Sequence, residues 1–195
     1  ILYIAANALS SQSMYLQSNF YLNLAKYLNE DFHSYNTLLA ENFYKIDSYN
    51  NARKIYKNLS KKGEAFHWYS SKQIARIFIQ QENKNEALKQ LKNSYNSLLK
   101  KEIYETFDYA EFLKNNEKFQ ESIPLYTIIL EQVEKEHPLY AESAEGRGVS
   151  YERIGEWDKA EKDLLESLKV NPNQAYVINY LAYSWIEKGI KVKKS

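Results

Sequence analysis

With 195 residues, 44% of them hydrophobic and 15% aromatic, the chain has enough apolar material for a sizeable core and too much for a disordered tail. Its 26 Lys and Arg against 25 Asp and Glu leave a formal charge of +1, too weak a field to advertise nucleic acid or anionic lipid as the main partner. Without cysteine there is no disulfide framework, thiolate nucleophile or Cys-based zinc site, and three prolines with five glycines are too few for a loop-rich all-β fold. Long helices joined by short turns are expected.

The opening ILYIAANALSSQS contains Ala6-Asn7-Ala8, which mimics a signal-cleavage tripeptide. It lacks a basic start and a full apolar region, so it reads as an amphipathic helix entered part-way along. Ile1 is not a natural start and suggests a fragment or a processed chain. No stretch approaches the roughly 20 apolar residues that a transmembrane segment needs.

From this first helix onward the chain repeats itself. A small residue recurs at Ala6, Ala40, Ala75, Ala110, Gly148 and Ala182, with separations of 34, 35, 35, 38 and 34. Three residues after each stands a large apolar one, Leu9, Phe43, Phe78, Leu113, Tyr151 and Trp185. That spacing keeps both on one helix face, so each unit opens with a helix whose backbone approaches a neighbour at the small residue. Twelve residues beyond the small position comes a second small column, Ser18, Ala52, Ala87, Ser122 and Ala160. Leu22, Tyr56, Leu91, Tyr126 and Leu164 follow, then Ala25, Leu59, Ser94, Ile129 and Ser167, the buried stripe of a second helix. Short polar turns such as KIDSYN, QQENKN, NNEKFQ and RIGEWD separate the two helices, and Gly155 suits a left-handed cap.

In chain order the repeat has two irregularities. The 38-residue step places four extra residues around EKEHPLY, which predicts that the second helix of the fourth unit overruns or ends in a longer turn. Pro124 falls early in that helix, tolerable where the helix begins near Phe119 or Gln120. The stretch GRGVSYERIGEWDKAEKDLLESLKVNP invites comparison with a phosphate-binding loop, but Tyr151 stands where a third glycine is needed and no buried strand precedes it. Gly148 is read instead as the close-packing residue of a first helix.

These columns resemble the tetratricopeptide repeat (TPR), a helix-turn-helix unit, over essentially the whole chain. Residues 141–174 carry the resemblance best, with Gly148, Tyr151, Gly155, Trp157, Ala160, Leu164 and Pro172 at the family's small, aromatic, glycine, aromatic, alanine, large and proline positions. Departures are Ala144 and Arg147 in this unit, Lys84 at a turn aromatic, and Ser18 and Ser122 for alanine, which are expected to weaken individual packing sites. The resemblance implies an all-α, right-handed α-α superhelix, a single solenoid over residues 1–195. Its units fall at about 1–32, 33–66, 68–101, 103–136 and 141–174, with a half unit from 175.

No reaction is proposed by the sequence. His33, His67 and His137 lie at unit junctions without helical carboxylate or histidine partners, and no serine sits on a strand-to-helix elbow, so no catalytic, cofactor-binding or metal residues are assigned and no cofactor is expected. First helices line the concave groove in the family, which implies a peptide-binding surface at Tyr69, Lys72, Arg76, Tyr104, Phe107, Glu111, Asn179 and Tyr183, with Glu142, Glu145 and Tyr176 on the same face. Aromatics beside an arginine are the residue types that anchor interfaces. The plainer alternative is an ion-pair ladder through Glu41, Arg76 and Glu111. The chaperone-tail clamp of some family members is not reproduced, since Lys72 with Arg76, Asp108, and Glu142 with Gly146 stand at its positions.

The expected function is a non-enzymatic scaffold that binds a peptide or protein partner. The alternative is the recognition arm of a larger enzyme. RNA binding would require a basic groove, which Glu142, Glu145 and Glu152 oppose, so no nucleic acid partner is expected. At the C-terminus Ile178, Leu181, Ala182 and Trp185 form an apolar face that IKVKKS does not cover, which predicts either a longer chain or self-association through this half repeat.

Overall fold

The computed structural model describes residues 1–30, 32–187 and 189; the IKVKKS tail lies outside them. Among the described residues there are eleven α-helices and no strand. The chain divides into two compact units, Ile1–Leu99 and Lys100–Ser195. The first holds the hairpins α1 (Leu2–Ser11) with α2 (Tyr15–Leu28), α3 (Ser34–Lys45) with α4 (Tyr49–Leu59), and α5 (Glu64–Gln80) with α6 (Lys84–Ser97). The second holds α7 (Ile103–Asn115) with α8 (Phe119–Gln132), α9 (Pro138–Arg153) with α10 (Trp157–Val170), and α11 (Ala175–Glu187).

The small columns are where helices meet. Ala6, Ala40, Ala75, Ala110, Ser18, Ala52, Ala87, Ser122 and Ala160 are all fully buried, and so are Leu22, Tyr56, Tyr126 and Leu164 on the second helices. A Cβ on Gly148 would stand 2.9 Å from Leu164 Cγ and 3.2 Å from the Ala160 carbonyl oxygen, so glycine lets α9 and α10 close on each other. Gly146 serves the neighbouring hairpin, because a Cβ there would fall 2.5 Å from Tyr126 Cζ.

Every first helix from α1 to α9 ends in the same way. The residue seven beyond the small column takes a left-handed conformation: Ser13, Asp47, Glu82, Glu117 and Gly155, with φ of 61°, 56°, 58°, 63° and 85°. The following N–H then donates back to the carbonyl of the large apolar residue, Met14 to Leu9, Ser48 to Phe43, Asn83 to Phe78, Lys118 to Leu113 and Glu156 to Tyr151, at 2.8–2.9 Å. This closes the orphan carbonyls of the helix end. Only one of these five positions is glycine, so the hydrogen-bonded turn holds four ordinary residues where they are strained.

Three expectations are corrected. The extra residues of the 38-residue step do not lengthen α8, which ends at Gln132 with the same 14 residues as α2, α6 and α10. They extend the start of α9 to 16 residues, where Pro138 opens the helix and His137 Nδ1 accepts the Leu139 N–H at 3.1 Å. Ser18 and Ser122 do not loosen their sites, since each finds a bond within its unit. Ser18 Oγ donates to the Ala6 carbonyl at 2.8 Å and accepts from Asn42, and Ser122 Oγ bonds Ser150 Oγ at 2.9 Å. Nor is the C-terminal apolar face open throughout: Leu181 is buried and Trp185 is half-buried, its Nε1–H donating to Glu161 at 2.5 Å, while Ile178 and Ile186 are exposed.

Pro124 is the sixth residue of α8, past the free N–H groups of the first turn, and so removes the bond to the Gln120 carbonyl. Both residues are exposed, so water replaces the missing donor. Arg147, at a position where the family has leucine, is held by Asp163 through Nε at 2.6 Å and Nη2 at 2.9 Å, a bidentate pair that makes it part of the α9–α10 packing.

Candidate functional site

In the first unit, Tyr69, Lys72 and Arg76 lie on one face of α5. Arg76 is engaged there: its guanidinium pairs with Glu41 of α3 and lies 4.1 Å above the Tyr44 ring. Lys72 is half-buried, and the Tyr69 ring meets the buried Tyr56 ring at 6.1 Å. Burial, reinforced by Glu41, raises the Tyr69 phenol above its ordinary value, so it stays neutral.

In the second unit, Tyr104 is exposed and Phe107 packs edge-on against Tyr126 at 6.3 Å. Glu111 accepts the Tyr126 hydroxyl at 2.5 Å and the Lys114 ammonium at 2.7 Å, so its carboxylate is satisfied inside its own unit. The Glu41–Arg76 half of the expected ladder is formed. Asn179 and Tyr183 are exposed one turn apart on α11.

An open cleft of about 640 Å³ lies in this second unit, between α7, the start of α8, α9 and α11. Its walls include Lys114, Phe119, Glu145, Val149, Arg153 and Tyr176. Glu145 and Tyr176 come from the face marked by the sequence pattern. Of the residues which that reading did not single out, Val149 and Arg153 follow Glu145 at intervals of four along one face of α9, and Lys114 follows Ala110 by four on α7. Glu145 is half-buried, and burial pushes its carboxyl above the usual range; nearby Lys114 opposes that shift while Glu111 and Glu142 add to it. Arg153 stands 3.6 Å from Glu152, whose carboxylate also accepts the Tyr180 hydroxyl.

The cleft therefore offers two cations, the carboxylates of Glu117 and the reluctant Glu145, and an apolar and aromatic lining. Such a set can grip a side chain on Phe119 and Tyr176 while Lys114 and Arg153 meet a negative group. Among the described residues there is no group of three or more His, Asp or Glu that could hold a metal ion, and no helix is long and apolar enough to cross a membrane.

No protein-family model matches the chain, and no curated protein matches it in sequence. Solved structures do match in shape. YrrB, described as a TPR protein with an unusual peptide-binding site, is 17% identical over 93% of this chain and 90% of its own, with a TM-score of 0.62. The C-terminal part of a TPR repeat-containing protein from Cytophaga hutchinsonii is 15% identical over 90% of this chain and 67% of its own, with a TM-score of 0.60. MamA from Desulfovibrio magneticus RS-1 is 10% identical over 82% and 87%, with a TM-score of 0.64. The helical hairpins and their small-residue crossings thus define an all-α helical repeat protein, and its fold is that of the tetratricopeptide repeats.

Proposed function

We propose that the chain is a non-enzymatic protein-interaction scaffold that holds a peptide segment of a partner on the faces of its first helices, with the cleft of the second unit as the seat. The carrying observation is the joining of Val149, Arg153 and Glu145 on α9 to Lys114 on α7 and Tyr176 on α11 around one open cleft. An apolar anchor flanked by an acidic or C-terminal carboxylate matches this lining. The peptide-binding site named for YrrB, a protein of the same fold, supports the reading by analogy. In the same reading residues 1–195 form one right-handed solenoid, and Tyr69, Lys72, Arg76, Tyr104, Phe107, Glu111, Asn179 and Tyr183 belong to a continuing peptide surface.

The test is selection of peptides from a random display library on the intact chain, followed by calorimetry of the selected peptides. Tyr176→Ala and Arg153→Glu should each weaken binding by about tenfold or more with an unchanged circular dichroism spectrum. Loss on Arg76→Glu or Phe107→Ala with Tyr176→Ala silent would move the seat away from the cleft. Selected peptides whose affinity survives all four substitutions would overturn the proposal.

A further inference from the structure

Residues 48–63, SYNNARKIYKNLSKKG, contain Arg53, Lys54, Lys57, Lys61 and Lys62 and no carboxylate. Within them α4 buries Ala52, Tyr56 and Leu59 on one side, so helical geometry turns Asn51, Lys54, Lys57 and Asn58 outward, joined by Lys61 in the turn that follows. All five are exposed. Of the other two cations of the stretch, Arg53 is committed elsewhere and Lys62 lies to one side. Arg53 bonds Gln81 and Asn50 and covers the Phe78 ring at 4.9 Å, and Lys62 lines a crevice shared with Glu30.

On the second helix of the α9–α10 hairpin in the second unit two lysines are paired, while among the described residues no ion pair reaches Lys162. On α10, Lys159 pairs with Glu156 at 3.0 Å and Lys169 with Glu166 at 3.1 Å, and Glu166 also takes Lys135. These pairs hold the Glu166 carboxyl down to about 2. Among the described residues no ion pair reaches Lys54, Lys57 or Lys61. The outcome is a stripe of hydrogen-bond donors and positive charge, with Lys54 and Lys57 one helical turn apart on α4 and Lys61 in the turn beyond it, uncompensated on its own helix.

The chemistry of the stripe selects among anions. Sequence-tolerant RNA binding relies on exposed aromatic rings or free arginines for stacking. Here Tyr56 is buried, Tyr49 is half-buried with its hydroxyl on Asp47, and Arg53 is pinned. Insertion of a helix into a membrane interface needs apolar side chains beside the cations. Ile55, half-buried against the first-unit core, does not supply them. Lysines spaced by helical turns, with asparagine amides between them, instead match carboxylates repeated at the same interval.

We infer that the outward stripe of α4 is a second docking surface, separate from the cleft, for an acidic protein segment whose carboxylates recur along one helix face. A fluorescein-labelled helical peptide with Glu at every third or fourth position, titrated with the full chain and followed by anisotropy, tests it. Joint replacement of Lys54, Lys57 and Lys61 by Gln should weaken binding by about tenfold or more and flatten its salt dependence. Replacement by Arg should preserve binding. Gln at Lys159, Lys162 and Lys169 of α10, and Arg153→Glu in the cleft, should leave it within about twofold. Equal affinity of the Lys54/Lys57/Lys61→Gln protein and the parent would overturn the inference, and so would tighter binding of single-stranded RNA or phosphatidylglycerol vesicles than of the peptide. Loss on Arg153→Glu alone would assign the peptide to the cleft.

Discussion

Tyr56 and Tyr126 hold the same position in their hairpins and are both fully buried, yet their hydroxyls meet different surroundings. In the first unit Tyr56 reaches Glu41 at 3.5 Å, and the cation for that carboxylate, Arg76, comes from the next hairpin. In the second unit Tyr126 reaches Glu111 at 2.5 Å, and the cation is Lys114 from the same helix as Glu111. The ring of Tyr126 presses on the bare backbone of Gly146; two residues before the small column of α5 the corresponding residue is Gln73. A shared repeat position fixes that a tyrosine is buried, while the neighbouring hairpin decides how far its hydroxyl reaches. The tighter of the two clusters is predicted to carry more of its unit's stability.

The largest effect that would break this comparison is Gly146→Val. The added atoms must displace a fully buried ring, for an expected loss of about 3 kcal/mol in chemical denaturation. Gln73→Val should cost less than about 1 kcal/mol, and equal losses would mean that Tyr126 moves aside freely. Next, Tyr126→Phe should cost about 2 kcal/mol because it takes a short donor from a charged acceptor. Tyr56→Phe, at a longer and weaker contact, should cost about 0.5 kcal/mol.

The columns of small residues gave the hairpin register away because steric closeness leaves no other choice at a helix crossing. Three of the left-handed turn residues were not legible, since Ser13, Glu82 and Glu117, unlike Asp47, are no sign of positive φ; their backbone is imposed by the hydrogen bond that closes the turn. The cleft was half legible. Glu145 and Tyr176 follow from the helix face and Val149 and Arg153 continue the Glu145 stripe of α9 at intervals of four, whereas Lys114 joins from α7, which periodicity within α9 does not reveal. The bonds of Ser18 and Ser122 were hidden for a similar reason, because their partners lie on other helices.

A smaller effect sharpens the contrast between the cations. Arg76→Gln removes an exposed pair and a ring contact, so it should cost less than about 1 kcal/mol and lose its effect in high salt. Lys114, only 16% exposed at its side chain, should cost more when replaced by Met and respond less to salt.

The smallest expected effect is in pH dependence. Glu145 has a folded-state pKa raised by burial, so the folded chain holds that proton more tightly than the unfolded one. Its contribution is fully present below the ordinary carboxyl value of 4.5 and is lost as pH rises through the raised value. Glu145→Gln should therefore flatten the stability profile just above that ordinary value, measured by thermal melting across pH. Glu166, held down to about 2, acts oppositely: its stabilisation is present above the ordinary value and is lost as pH falls toward 2. A Glu145→Gln profile parallel to that of the parent would remove burial from the account of this cleft.

The common turn that ends each first helix has a consequence for how the chain tolerates insertions and deletions. The turn inside each hairpin is fixed and four of the five second helices have 14 residues, α4 having 11, while the entrance of the first helix is adjustable. About one additional helical turn at the start of α9 advances that helix by about 5 Å without disturbing the crossing at Gly148. Added sequence is absorbed at the seam between hairpins, where a new epitope or reporter helix can be grafted, and the polar turns inside each hairpin are the wrong place to cut.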